Sequence, residues 1–259
     1  MNRAMTLIAP ALCALPMSGW TAAPAPPTAT TPTATPRAQA PFDPTGYWVA
    51  VVTQNWRFRM VVPGRGEYSD VPLNLPAKQF ADAWNPAADE AAGKQCEAYG
   101  AAAIMRIPER LRISWQDDQT LKVETDAGMQ TRVLHFASDS EEEKTIAATP
   151  GWQGYSAARW VLHHAALGPP PAAGGYGSLE VLTDHMLPGL LRKNGIPYGA
   201  RSKLTEYWEV NAETSDQWLT VTSIVDDPEY LRYPYIVNSI FKKEPDGTKW
   251  NPGPCTLRE

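Results

Sequence analysis

From Gly46 to Lys243 the chain is built of short runs in which apolar and polar residues alternate, each closed by a turn. "RLRISWQ" (110–116), "TLKVETD" (120–126) and "MQTRVLHF" (129–136) are separated only by "DDQ" and "AG". A period of two turns one face to a core and the other to water, and connections this short send the chain straight back. Further strands are expected at "ARWVLHH", "SLEVLTDHM", "KLTEYWEV", "QWLTVTSIV" and "YIVNSIFKK", and the aromatic, β-branched "GYWVAVVTQNWRFRM" (46–60) reads as another, long one. Gly, Pro, Asn and Asp occupy the connections, as turns require.

Helical signal is confined to one region. After Pro76, residues Phe80, Ala83 and Trp84 share a helical face, and a second helix is expected around 87–94. No βαβ rhythm is present. The predicted fold is mainly β: an antiparallel lipocalin-like barrel of about eight to ten strands with one or two short helices. A sandwich is the competing closure, because periodicity does not report how a sheet ends.

The N-terminus reads as an export leader. Arg3 precedes an apolar run from Met5 to Met17, and small residues follow at Thr21, Ala22 and Ala23. The predicted organisation is a signal peptide over 1–23, an Ala/Pro/Thr-rich linker over 24–41 and a single domain over 42–259, placed in the periplasm or outside the cell. No later run approaches the ~20 apolar residues of a transmembrane helix. The formal net charge of −5 is interspersed, without a basic stripe, which argues against nucleic acid as a partner. Loss of the leader removes Cys13 and leaves Cys96 and Cys255, which an oxidising compartment would join in a disulfide. Two unrelated buried thiols are the alternative.

Taken in order, "ISWQDDQTLKVET", "TRVLHF", "LRKNGIPY", "LTEYWE" and "VDDPEYL" resemble a widespread group of secreted bacterial proteins of lipocalin-like, or calycin-like, form. The resemblance covers residues 42–255. It implies an exported barrel, with an acid at Glu206 and a turn at Asp227-Pro228 as part of the wider pattern. It brings no reaction, substrate or catalytic residue.

Candidate chemistry begins with Glu206. Alternation places it between Leu204 and Trp208 on an apolar face, where a carboxylate is costly unless paired, hydrogen-bonded or facing a wet cavity. Arg132, on the face of Leu134 and Phe136, is its expected partner in a purely structural reading. In the functional reading, Leu179, Val181, Thr183 and His185 form a second inward face and Trp218, Thr220, Thr222 and Ile224 a third. Glu206 and His185 would then enter a cavity walled by Trp208 and Trp218.

Arg132 and Trp152 count as further ligand-binding candidates. Arg192 and Tyr198, in the long connection "HMLPGLLRKNGIPYGARS", are placed to grip an anion and to stack or donate over the barrel mouth. Gly154-Tyr155-Ser156 is a fragment of a nucleophile elbow, but Ala158 stands where the second glycine belongs and a strand follows. The four histidines match no metal-ligand spacing, so no metal or cofactor is expected.

Three functions follow from this reading. The first is an exported barrel holding a small, partly aromatic or apolar molecule in its interior. The second is a cofactor-free lyase, isomerase or hydratase using Glu206 and His185 as an acid–base pair. The third is a structural envelope protein with a packed barrel.

Overall fold

The computed structural model describes residues 34–136, 147–162, 176–211 and 216–257. His163 and His164, the end of the expected strand "ARWVLHH", lie outside them.

Among the described residues nine strands close a barrel. They are β1 (Gly46–Ala50), β2 (Arg110–Trp115), β3 (Thr120–Thr125), β4 (Thr131–Phe136), β5 (Tyr155–Leu162), β6 (Gly177–Asp184), β9 (Lys203–Asn211), β10 (Trp218–Asp226) and β11 (Tyr235–Glu244). A two-stranded hairpin of β7 (Gly189–Arg192) and β8 (Ile196–Tyr198) interrupts the run between β6 and β9. Neighbours follow chain order, and β1 closes the ring between β2 and β11. Every barrel pair is antiparallel except β4–β5. Strictly alternating directions close only around an even number of strands, so a ring of nine must contain a parallel pair. Phe136 and Tyr155, which bound that pair, are far enough apart in sequence for the connection of about a dozen residues or more that parallel neighbours require.

The helical content exceeds the expected one or two helices. Four short α-helices, α1 (Trp56–Arg59), α2 (Leu75–Ala83), α3 (Pro86–Ala91) and α4 (Ala101–Ile104), and a 3₁₀ turn at Gln95–Tyr99 are present among the described residues. Asn74 caps α2 by accepting from Ala77 N at 2.9 Å, and Asn85 caps α3 at Ala87 N, 3.1 Å away. The buried face of α2 is Ala77 and Ala81, while Phe80 is exposed. The small residues permit close packing, which the expected Phe80 face would not.

The expected strand over 46–60 is corrected as well. It stops at Ala50, and Asn55, in the left-handed region at φ 51°, starts helix α1. Asn tolerates that conformation, and the alternation of "WRFRM" had concealed the turn.

Two apolar cores form inside. The larger holds Trp48, Leu111, Leu134, Leu179, Trp208 and Phe241 within the barrel. The smaller, including Met186, Leu191, Tyr198, Leu204, Val225 and Tyr235, lies where helices and hairpin cover one end. Cys96 and Cys255 are joined in a disulfide that ties the chain end beside this cover. From Ala34 on, the preceding chain belongs to the same compact unit as the barrel: Trp160 Nε1 donates to Pro36 O at 2.7 Å and Phe42 meets the Trp160 ring edge-on.

The outer barrel face carries cross-strand ion pairs, Arg112–Glu124 between β2 and β3 and Arg159–Glu180 between β5 and β6. Charge outside and hydrocarbon inside is the inverse of a membrane-spanning barrel. No helix among the described residues is long and apolar enough to cross a membrane.

Candidate functional site

Glu206 faces inward on β9 between Leu204 and Trp208, and all three side chains are buried. Arg132, on β4, holds it in a fork: Nη2 donates to Oε2 at 2.7 Å and Nη1 to Oε1 at 3.2 Å. Ser223 donates to Oε1 at 3.3 Å, and Arg132 Nη2 reaches Thr183 Oγ1 at 3.4 Å. Thr183 and Ser156 share a hydroxyl hydrogen bond of 2.8 Å. The elbow fragment at Ser156 is thus part of a strand, bonded sideways into the interior.

These groups form a polar layer between the two cores. On β9 the sequence runs Leu204, Glu206, Trp208 from the smaller core to the larger. On β10 it runs Val225, Ser223, Val221, and on β11 Val237, Ser239, Phe241. The layer is occupied by its own side chains, and neither of the two hollows described below is lined by them.

The expected Glu206–His185 pair is not formed. Strand β6 ends at Asp184, and His185 adopts φ 53°, which breaks the alternation. Its exposed ring sits 2.7 Å from Asp184 Oδ1. Trp218 is corrected too. The β9–β10 register sets Glu206 opposite Ser223 and Trp208 opposite Val221, so the inward face of β10 is Leu219, Val221, Ser223 and Val225. Trp218, Thr220, Thr222 and Ile224 point outward, and the Trp218 ring lies 5.7 Å from Lys242 Nζ.

Trp152 is half-buried in a turn, with its carbonyl accepting from Ala101 N at 3.0 Å. Tyr198 is fully buried rather than placed over a mouth. Its hydroxyl has no partner, and burial first, then Glu97, pushes its pKa well up.

Arg192 does reach a hollow. A cleft of about 60 Å³ lies between α1, the segment 98–108 and the end of β7. Arg59, Arg106 and Arg192 line it, with Phe58, Val61 and Ile107 supplying apolar wall. Main-chain oxygens hold the three guanidiniums: Arg59 Nε donates to Arg106 O at 2.8 Å, Arg106 Nη1 to Leu191 O at 3.3 Å and Arg192 Nη1 to Ser69 O at 2.8 Å. Aromatic faces flank two of them, Arg192 over Phe58 at 4.9 Å and Arg106 over Tyr235 at 5.6 Å. Arg192 Nη2 also donates to Tyr235 Oη at 3.3 Å.

The acidic groups that act on the cleft, Glu109 on Arg59 and Asp70 on Arg106, do so from beyond ion-pair distance. Among the described residues no carboxylate lies within ion-pair distance of Arg59, Arg106 or Arg192, and Arg59 Nη2, Arg106 Nε and Nη2, and Arg192 Nε are buried without acceptors. Burial, then Arg106, pulls the Arg59 pKa down to about 10. Burial also lowers Arg106, with Arg192 adding to the fall and Tyr235 opposing it. At about 10, the Arg59 group is still a cation at neutral pH. Buried charges are ordinarily paired, and these three arginines have no carboxylate at ion-pair distance among the described residues.

Sequence reasoning missed Arg59 and Arg106. Both stand inside apolar runs, "WRFRM" and "AIMRIP", and a cation embedded in such a run was the available signal. It also missed Glu109, buried just before β2 with both carboxylate oxygens unpartnered. Burial, then Asp126, raises the Glu109 pKa well above the ordinary carboxylate range, with Arg132 and Arg59 opposing.

In comparisons with known proteins, the chain matches no protein-family model, no curated protein and no solved structure.

Proposed function

We propose that this barrel binds a small molecule through an oxyanion group, a carboxylate or a phosphate, seated in the cleft of Arg59, Arg106 and Arg192. One observation carries the reading: three largely buried guanidiniums line one cleft with several N–H groups lacking an acceptor and, among the described residues, no carboxylate at ion-pair distance. A volume of about 60 Å³ suits a single head group, since one water needs ~10–15 Å³ by the same measure. The ligand site in this reading is the barrel's covered rim, not its centre. The leader-like N-terminus and the disulfide support export to an oxidising compartment, as does the resemblance to secreted calycin-like barrels.

The test is calorimetric titration with inorganic phosphate and with acetate. At least one is expected to bind, and Arg192→Gln to weaken it by roughly tenfold or more, as loss of a charge-assisted bond should. Arg201→Gln, at an exposed position beyond β8, is expected to bind as the wild type does. No heat and no thermal shift with either anion at millimolar concentration would overturn the reading.

A further inference from the structure

The cleft does not end at its head-group pocket. A second hollow of about 440 Å³ shares Val62, Pro63 and Lys193 with it as a common wall. Trp84, Pro86, Leu257, Arg65 and Asn194 complete its lining. Its size falls in the range of small-molecule pockets, ~300–1,000 Å³, whereas the cleft alone does not.

Two details mark it as more than a surface dip. Asn194 is buried, and its amide nitrogen donates to Gly64 O at 3.3 Å and Glu67 O at 3.1 Å. Its Oδ1, however, is buried without a donor. An acceptor so placed costs stability unless something donates to it. Trp84 is held at three points: ring nitrogen, main-chain carbonyl and Cβ. Its Nε1 donates to Asp89 Oδ2 at 2.6 Å, Arg65 Nη2 bonds its carbonyl at 2.8 Å, and Gly195 lies so close that a Cβ there would meet Trp84 Cβ at 2.7 Å. Gly195 also has φ 87°, so the position suits glycine twice over.

We infer that the two hollows are one bipartite site, and that its ligand is an aromatic acid carrying a hydroxyl or amine donor. The acid head enters the three-arginine cleft, the ring lies against Trp84, Pro86 and Leu257, and the donor answers Asn194 Oδ1. The inference rests on the cleft being an anion site. Whether the head is a phosphate or a carboxylate is read from the probe pairs.

Inorganic phosphate is compared with 4-hydroxyphenyl phosphate, and acetate with 4-hydroxyphenylacetate, by calorimetry on the full chain. In at least one pair the aromatic member is expected to bind tighter by about tenfold or more, the gain from burying a ring. Trp84→Leu should remove that gain and leave the bare anion's affinity unchanged, while Arg192→Gln should weaken both members. Should Trp84→Leu not fold, Trp84→Phe keeps a ring: the emission change on adding the aromatic probe, present in the wild type, should vanish. Bare anions that bind through Arg192 without any advantage to the aromatic members would overturn this inference and leave the cleft reading standing. Absence of binding by all four would overturn both.

Discussion

Arg132 and Glu206 meet inside the barrel as a two-pronged pair, 2.7 and 3.2 Å long, with neither side chain reaching solvent. Leu134 and Trp208 lie on the larger-core side of the two residues, and the hydroxyls of Ser223 and Thr183 add further hydrogen bonds, while Arg132 Nε has no partner among the described residues. The pair links strand β4 to β9 across the interior, 74 residues apart in sequence.

Breaking it from one side strands a buried charge. Glu206→Ala is expected to destabilise the protein by about 3–5 kcal/mol, whereas the double change Arg132→Met with Glu206→Leu should recover most of that loss. Urea unfolding of the single and double variants reads the difference. Equal losses in both would show that the pair's net contribution, not the orphaned charge, dominates.

Glu109 should make stability depend on pH. Its folded pKa lies above its unfolded value because burial, then Asp126, disfavours the anion. Above an unfolded pKa of about 4.5 the unfolded chain loses the proton while the folded one keeps it, so stability falls as pH rises from there toward the folded pKa. Glu109→Gln removes this slope and should be the more stable protein at neutral pH. Urea unfolding of both proteins between pH 4.5 and 8 checks it, and parallel curves would count against a neutral Glu109.

The two tryptophans of the expected cavity should behave oppositely. Trp208, buried in the larger core, should cost ~3–5 kcal/mol on change to Ala. Trp218, on the outer face of β10 beneath Lys242, should cost about 1 kcal/mol or less. Chemical denaturation of the two variants measures the strand register directly.

The disulfide closes a separation of 159 residues. Chain-entropy reasoning puts its contribution toward the top of the usual range, ~4–5 kcal/mol. The Cys96→Ser, Cys255→Ser variant should unfold correspondingly earlier in urea. Because Leu257 lies just beyond Cys255 in the larger hollow's wall, the same variant should also lose the affinity advantage of 4-hydroxyphenyl phosphate or 4-hydroxyphenylacetate over the bare anion.

Much of the sheet was legible because alternation is a local property. Strands β2, β3, β4, β9, β10 and β11 lie where the period of two places them, and the inward parity of Leu204, Glu206 and Trp208 follows from one strand alone. On β10 both parities carry apolar residues, and only pairing with β9 selects the face of Val221 and Ser223. His185 escaped its expected face because a left-handed residue ended the strand one position early.

The cleft was not legible. Arg59, Arg106 and Arg192 come from a short helix, the segment after α4 and a hairpin, and no spacing in the chain relates them. Each looks ordinary until the other two stand beside it in the cleft.

The order of amino acids by itself determined most of the barrel strands and which residues share a face. Tertiary structure decided the parallel β4–β5 pair, the direction in which each face looks and the meeting of the three arginines. The reason is one of range: side-chain alternation and turn chemistry act over a few residues, whereas desolvation and like-charge repulsion are set by neighbours that only chain closure brings together.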